Sequence, residues 1–190
     1  FDIALKEYQE LKLFNNNKKT ILYNPHNKVD LSSWYKHGFE VLEFFYHNKA
    51  FNLIFAPHIN LFNDRNFLSP KIINKKYFNA DNIHMDLGSE KSSNMSYTIS
   101  ADVYLGDVSS QVYEFIYKSR PCLFLNSNEI KWKNDPNYLH WNLGKVLSNI
   151  SALENELNKI DVTHQHYKQI QKEFFENTFD ISNDISSSKR

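Results

Sequence analysis

The chain has 190 residues, which is the size of one ordinary domain. Basic and acidic residues number 22 each, so no net field draws the chain to nucleic acid or to an anionic membrane surface. The single cysteine, Cys122, excludes an internal disulfide and a cysteine-based zinc site, and a reducing cytoplasm is the expected compartment. No run of about 18 apolar residues is present to span a membrane. Because Phe1 already lies within a helical pattern, we expect a fragment of a longer protein.

Short apolar runs alternate with amphipathic helical patterns along the chain. The pattern over 1–14 and the polar break at 15–19 predict a leading helix and linker from an upstream domain, followed by one domain over 20–190. Strands are predicted at 20–23, 52–56, 83–86, 103–105 and 121–125, and helices at about 34–47, 92–100, 109–118, 152–159 and 164–177. The stretch 60–79 is predicted to be irregular or partly helical, and aromatic loops are predicted around 132–141. This alternation is typical of a doubly wound α/β domain with a parallel sheet covered on both faces.

Polar residues follow the predicted strands where each strand ends. Ligands of such sheets bind beyond the carboxyl ends of the strands, at a switch point in strand order. The residues at these ends are Asn24, His26, His58, Asp86, Gly88, Ser89, Asp107, Ser109 and Ser110. Two successive strands end in Pro-His pairs, and a histidine can donate to a phosphate or act as an acid or base near neutral pH. The alternative for His26 and for His58 is a loop histidine that only hydrogen-bonds the backbone.

The stretch 101–115 has the most specific local pattern in the chain. A short strand ends at Gly106, and Asp107 and the two serines at 109 and 110 supply capping oxygens at the start of a helix. Such a helix start can bind a phosphate, and Glu114 lies about two turns further on, within reach of a sugar hydroxyl. The alternatives are an ordinary strand–turn–helix unit with a good N-cap, and a Glu114 that pairs with a basic side chain.

Several other kinds of site are not supported by the sequence. The chain has only four glycines and lacks the glycine-rich dinucleotide and P-loop motifs. His164 and His166 are two residues apart on a predicted helix, where their side chains diverge, so we predict no metal site and no cofactor. The aromatic residues follow core periodicity, which argues against nucleic acid. Ser109 and Ser110 lack the flanking glycines of a nucleophile elbow.

Residues 101–125 resemble the signature of the CDP-glycerol glycerophosphotransferase family. That signature is a strand entering Asp-aromatic-Ser-Ser, an apolar helix bearing an acid, and a strand preceded by a basic residue and proline; here Val108 replaces the aromatic residue. Residues 21–26 and 53–58 resemble the family's first two strands, although His58 follows its proline instead of preceding it. Residues 174–189 resemble the closing segment, without its glycine. The family makes teichoic-acid and capsule-type polymers, and the chain is similar to the nucleotide-binding, Rossmann-like half of its GT-B architecture.

The resemblance implies roles for individual residues. His58 would contact the donor pyrophosphate or assist the leaving group, with His26 a weaker candidate beside the phosphates. Ser109 and Ser110 would hold phosphate, and Glu114 would bind ribose hydroxyls. The donor would be CDP- or UDP-linked, and a polymer or lipid-linked acceptor would bind to an upstream half, without which this chain is expected to transfer nothing. Peripheral association with the inner face of the cell membrane would involve regions outside the chain.

Three other interpretations stay open at this stage. One is a UDP-sugar glycosyltransferase or a 2-epimerase-like domain, since these share the same half-fold. Another is a non-catalytic module that binds nucleotide. The last is an α/β scaffold in which the polar groups at the strand ends only satisfy one another.

Overall fold

The computed structural model describes residues 11–62 and 69–179. Its six strands form one sheet and are β1 (Thr20–Asn24), β2 (Asn52–Phe55), β3 (Ile83–Met85), β4 (Val103–Gly106), β5 (Cys122–Leu125) and β6 (Lys145–Leu147). Every neighbouring pair is parallel, and the strand order is β3-β2-β1-β4-β5-β6. The predicted doubly wound parallel sheet is therefore confirmed.

Helices of different lengths connect the strands. They are α1 (Trp34–His47), α2 (Lys75–Phe78), α3 (Ser96–Ser100), α4 (Gln111–Phe115), α5 (Leu153–Asn158), α6 (Ile160–Gln165) and α7 (Lys168–Thr178). Short 3₁₀ segments cover Val29–Leu31, Pro70–Ile72, Glu90–Ser92, Pro136–Leu143 and Ile150–Ala152. Among the helices of the described ranges, none has the length and apolar character needed to cross a bilayer.

The two faces of the sheet pack against different helices because strand side chains alternate. One core cluster joins the alternate residues Ile21, Tyr23, Leu53, Phe55, Val103, Leu105, Leu123 and Leu125 to α1, α5 and α6. The opposite cluster joins Leu22, Ile54, Tyr104, Cys122 and Phe124 to α3, α4, Trp141 and Phe175. On α1, Trp34, Val41, Leu42 and Phe45 are buried, whereas Phe39 is 45% exposed. Both faces of the sheet are thus covered, and its edge at the carboxyl ends of the strands is left for a site.

Some predicted elements differ from the structure. The strand β6 was not predicted, because it has three residues of which only Leu147 is buried. The helix predicted over 109–118 is shorter in the structure, where it is α4. Ser109 and Ser110 lie in the turn before it, and residues 116–118 lie after its end. The predicted helix over 164–177 is replaced by α6 and α7, with a break at residues 166–167. Most of the leading helix predicted over 1–14 lies outside the described residues.

Gly144 allows β6 to lie beside β5. A Cβ atom at this position would come 2.2 Å from the carbonyl oxygen of Cys122, which is backbone within the sheet. We expect Gly144→Ala to lower the free energy of unfolding by about 3 kcal/mol, measured by urea denaturation, because the two strands must separate to admit the methyl group. Lys145→Ala removes an exposed side chain in the same strand and should change stability by less than about 0.5 kcal/mol. Equal stability of both variants would contradict the close approach.

Candidate functional site

The strand order reverses between β1 and β4, which are neighbours at the centre of the sheet. From β1 the chain proceeds outward to β2 and β3, and from β4 it proceeds the other way to β5 and β6. Doubly wound sheets bind their ligands in the crevice at the carboxyl ends of two such strands. β1 ends at Asn24, just before His26, and β4 ends at Gly106, just before Asp107. Of the predicted site residues, Asn24 and His26 thus follow one strand of the switch point, and Asp107, Ser109 and Ser110 follow the other.

His26 and His58 form a histidine pair beside the crevice, with ring centroids 5.5 Å apart. The backbone N–H of His58 donates to the carbonyl oxygen of Pro25 at 3.0 Å, which ties the two loops together. Each ring accepts a backbone N–H at Nδ1, from Lys28 at 3.0 Å in one case and from Asn60 at 3.1 Å in the other. An acceptor role at Nδ1 puts the proton of a neutral ring on Nε2. Both histidines are therefore held in the same tautomer.

The histidine pair can donate two hydrogen bonds to an anion. Burial, the neighbouring His58 and Lys28 together lower the pKa of His26 to about 4, and burial lowers the pKa of His58. Both rings are half-buried and neutral at pH 7, and neither Nε2 atom has a hydrogen-bond partner within 11–62 and 69–179. Two adjacent N–H donors without a protein acceptor suit the oxygen atoms of a phosphate. A bound anion would also favour the charged form of either ring.

Asp107 is buried next to the His26 backbone and is only 1% exposed. Its carboxyl group accepts hydrogen bonds from the backbone N–H groups of His26 (2.8 Å), Ser33 (2.5 Å) and Val108 (2.9 Å) and from the Ser33 hydroxyl (2.8 Å). Burial raises the pKa of Asp107 to about 6, against the opposing effect of these bonds. From the sequence, Asp107 was predicted to be a phosphate-binding residue together with Ser109 and Ser110. Direct contact with a phosphate would displace protein donors, so the geometry favours an indirect role.

Ser109 and Ser110 lie in the turn between β4 and α4. The Ser109 hydroxyl accepts from the backbone N–H of Gln111 at 3.3 Å, whereas Ser110 is exposed and makes no side-chain capping bond. Because α4 has only five residues, few peptide dipoles are aligned behind this turn. A phosphate here would depend on the serine hydroxyls and on individual backbone N–H groups more than on a helix dipole.

Glu114 is half-buried on α4, and burial raises the pKa of its carboxyl group. Gln111, one turn earlier on the same face, donates from its side-chain amide to the carbonyl oxygen of Ser92 at 2.9 Å. This face of α4 is therefore turned toward the loop that follows β3. In the described parts of the chain, no hydrogen bond or ion pair occupies the Glu114 carboxylate. The alternative of a basic partner for Glu114 finds no support there.

Gly88 and Ser89 lie after β3, which is separated from β1 by β2. Their backbone N–H groups donate to the Asp86 carboxylate at 3.0 and 2.8 Å, and the hydroxyl groups of Ser89 and Tyr97 donate to it as well. Burial acts to raise the pKa of Asp86, but the hydrogen bonds from these two hydroxyl groups and from the backbone hold it well below its usual value. Gly88 has φ +135°, a conformation that favours glycine. A place for this turn in the nucleotide site stays a prediction.

Two residues that support the site were not identified from the sequence. Ser33 lies at the N-cap of α1 but makes no side-chain capping bond, and instead joins Asp107 to the hydroxyl of Tyr23, 2.9 Å away. Tyr97 donates its hydroxyl proton to Asp86 and therefore accepts from Nε2 of His84 at 3.0 Å. The Ser33–Asp107 contact joins residues 74 positions apart, so no local pattern could have indicated it.

Comparison with solved structures gives matches over most of the chain. The wall teichoic acid polymerase TagF matches with a TM-score of 0.65 and 16% identity, over 92% of this chain and 43% of that chain. A TagF variant soaked with CDPG matches with a TM-score of 0.61 and 17% identity, over 92% and 40% of the two chains. The fold is GT-B-like. A UDP-GlcNAc 2-epimerase from Neisseria meningitidis, bound to UDP-GlcNAc, matches with a TM-score of 0.53 and 16% identity, over 90% and 42%.

These likenesses concern the fold alone, because the identities are low. The chain spans less than half the length of the solved structures described above. A scan against models of protein families finds no match, and a search of curated proteins finds none either.

Proposed function

We propose that this chain is the donor-nucleotide-binding half of a GT-B-type transferase that uses a nucleoside-diphosphate-linked donor. The specific form of the proposal is a CDP-glycerol-type donor used in the synthesis of a cell-envelope polymer. The histidine pair is the observation that carries it, because the two rings lie 5.5 Å apart after β1 and β2, and within residues 11–62 and 69–179 their Nε2–H donors have no acceptor. The hydroxyl groups of Ser109 and Ser110 and the half-buried carboxylate of Glu114 follow the neighbouring strand.

The reaction would be a displacement in which the oxygen of an acceptor hydroxyl bonds to the β-phosphorus of the donor, while the bond from that phosphorus to the leaving nucleoside monophosphate breaks. The hydroxyl proton would pass to a base in the other half of the enzyme. Negative charge then grows on the leaving phosphate, and the electron pair of the broken bond remains on its oxygen. Donors fixed in advance at that position stabilise the charge without having to reorganise. We assign this task to His58, with His26 beside it. The acceptor and the remaining catalytic groups would come from the other half of the enzyme, which must hold the reacting atoms close together for turnover.

Two observations favour a CDP-linked donor over the alternatives. Residues 101–125 resemble the glycerophosphotransferase signature, and TagF matches the structure with a higher TM-score than the UDP-GlcNAc 2-epimerase does. The epimerase match nevertheless supports a second candidate, a UDP-sugar transferase or epimerase-like domain. A third candidate, a module that binds nucleotide without catalysis, would keep the same histidine pair.

Isothermal titration calorimetry of the chain with CDP, UDP, CDP-glycerol and UDP-GlcNAc tests the proposal. We expect weak binding of CDP and CDP-glycerol, with a Kd of roughly 0.1–1 mM, since one wall of the cleft is absent and water screens the phosphate contacts. Tighter binding of the uridine compounds would favour the second candidate. Absence of binding to all four at millimolar concentration would contradict the assignment of a nucleotide site.

Glu114→Ala is expected to weaken CDP binding by about 1–3 kcal/mol, the size of a lost hydrogen bond between a carboxylate and a hydroxyl. The same variant should lose any preference for CDP over its 2′-deoxy analogue, because the contact is made to ribose hydroxyls. Calorimetry with both nucleotides measures the two effects. Glu90→Ala, which removes an exposed carboxylate on the loop after β3, is the matched control. Unchanged binding together with a lower melting temperature would show that Glu114 has a structural role instead.

A further inference from the structure

Asp107 holds both ends of the loop that leads from β1 to α1. One carboxylate oxygen accepts the backbone N–H of His26 at the start of this loop, and the other accepts the backbone N–H and the hydroxyl of Ser33 at its end. The first oxygen also accepts the N–H of Val108. The carboxylate is therefore surrounded by donors from two separate segments of the chain.

The rest of Asp107 is anchored as firmly as its side chain. Its carbonyl oxygen accepts the indole N–H of Trp141 at 2.9 Å and lies 3.2 Å from Nε2 of His140. At the preceding residue, Gly106, the ring of Tyr104 packs so closely against the backbone that an added Cβ atom would lie 2.7 Å from it. Asp107 is thus held in place by contacts of both its backbone and its side chain.

We propose that Asp107 is a positioning residue that holds His26 in place for a diphosphate and does not itself touch the ligand. The inference depends on the proposed function for the identity of that ligand. Because the His26 backbone is held by Asp107 and its Nδ1 is held by Lys28, both the position of the ring and its tautomer follow from one loop conformation. The carboxylate acts on the ligand only through the direction in which Nε2–H of His26 is aimed.

A carboxylate is required for this arrangement, and an amide of the same shape is not equivalent. Four donors converge on Asp107, three of them backbone N–H groups that cannot reverse their direction. An asparagine offers one acceptor oxygen, and its NH₂ group would face N–H donors at the other end. One end of the loop must then be released, and His26 lies at one of those ends.

Asp107→Asn and a matched control, Asp102→Asn, test the inference. Asp102 lies just before the other end of β4, where its carboxylate accepts the backbone N–H of Thr20 at 2.8 Å. NMR of the imidazole nitrogens reports the tautomer of each histidine, and calorimetry reports CDP affinity. We expect Asp107→Asn to weaken CDP binding about tenfold and to replace the His26 signals of a single Nε2–H tautomer with those of a tautomer mixture. Asp102→Asn should leave both readouts unchanged.

Ser33→Ala keeps the inference testable if Asp107→Asn does not fold. This variant removes one O–H donor on the side of the carboxylate away from His26 and keeps the backbone bonds. It should produce a smaller change of the same kind, about two- to threefold in affinity. Unchanged His26 signals in every folded variant would overturn the inference, as would an equal loss of affinity in Asp102→Asn. If the unmodified chain does not bind CDP, the proposed function fails, while the imidazole spectra still decide whether Asp107 positions His26.

Discussion

Replacement of both members of the histidine pair by alanine is expected to abolish measurable binding of CDP while the chain stays folded. Each Nε2–H bond to a phosphate oxygen is a hydrogen bond to a charged group, worth about 1.5–3 kcal/mol. Loss of two such bonds lowers a weak affinity by a hundredfold or more, which puts it beyond calorimetric detection. The fold should survive, because both rings are half-buried and water can replace them as acceptors for the N–H groups of Lys28 and Asn60.

Single variants and a glutamine replacement show whether donation at Nε2 is responsible. His26→Ala and His58→Ala should each weaken binding at least tenfold, because each removes one Nε2–H donor of the pair. His58→Gln retains an N–H donor and should recover part of the affinity lost in His58→Ala. His166→Ala removes an exposed histidine from the turn after α6 and is the control. A double variant that binds CDP like the unmodified chain would remove the histidine pair from the site.

The sheet could be predicted from the sequence because its central strands are buried on both faces. Runs such as 52–56 and 103–105 are almost wholly apolar, and strands of that kind need helices on either side. The same apolar runs predict the position of the candidate site, because the polar residues at 24–26, 58 and 107–110 come where these runs stop. The edge strand β6 carries no such signal: Lys145 is exposed, and the strand is held by its backbone pairing with β5.

The use of each polar group at the strand ends could not be predicted in the same way. Asp107 and Ser89 are residue types that often bind ligands. In this structure, however, Asp107 accepts from Ser33, and Ser89 donates to Asp86. Contacts between distant loops decide which donors and acceptors remain for a ligand. In the histidine pair, by contrast, one nitrogen of each ring stays available for a ligand. The local bonds from Lys28 and Asn60 occupy Nδ1 and leave Nε2.

The affinity of the site for a diphosphate diester is expected to rise as the pH falls from 8 to about 6. In the ligand-free chain His26 is neutral above its pKa of about 4, which burial, His58 and Lys28 together depress. A bound diphosphate places negative charge beside the rings and raises their pKa. The complex then holds more protons than the separate components, so affinity increases with proton concentration, by up to about tenfold per pH unit for each proton taken up.

CDP-glycerol is the ligand of choice for this measurement, because its diphosphate diester lacks the terminal phosphate group that titrates near pH 6. Calorimetry in buffers with different enthalpies of ionisation reports the number of protons taken up at each pH. Below pH 6 the gain should level off, since Asp107, with its pKa of about 6, becomes protonated and its hold on His26 weakens. His26→Ala should reduce the proton uptake, whereas His166→Ala should not. An affinity that is constant between pH 8 and 6 would mean that the imidazoles stay neutral in the complex and donate hydrogen bonds without a charge of their own.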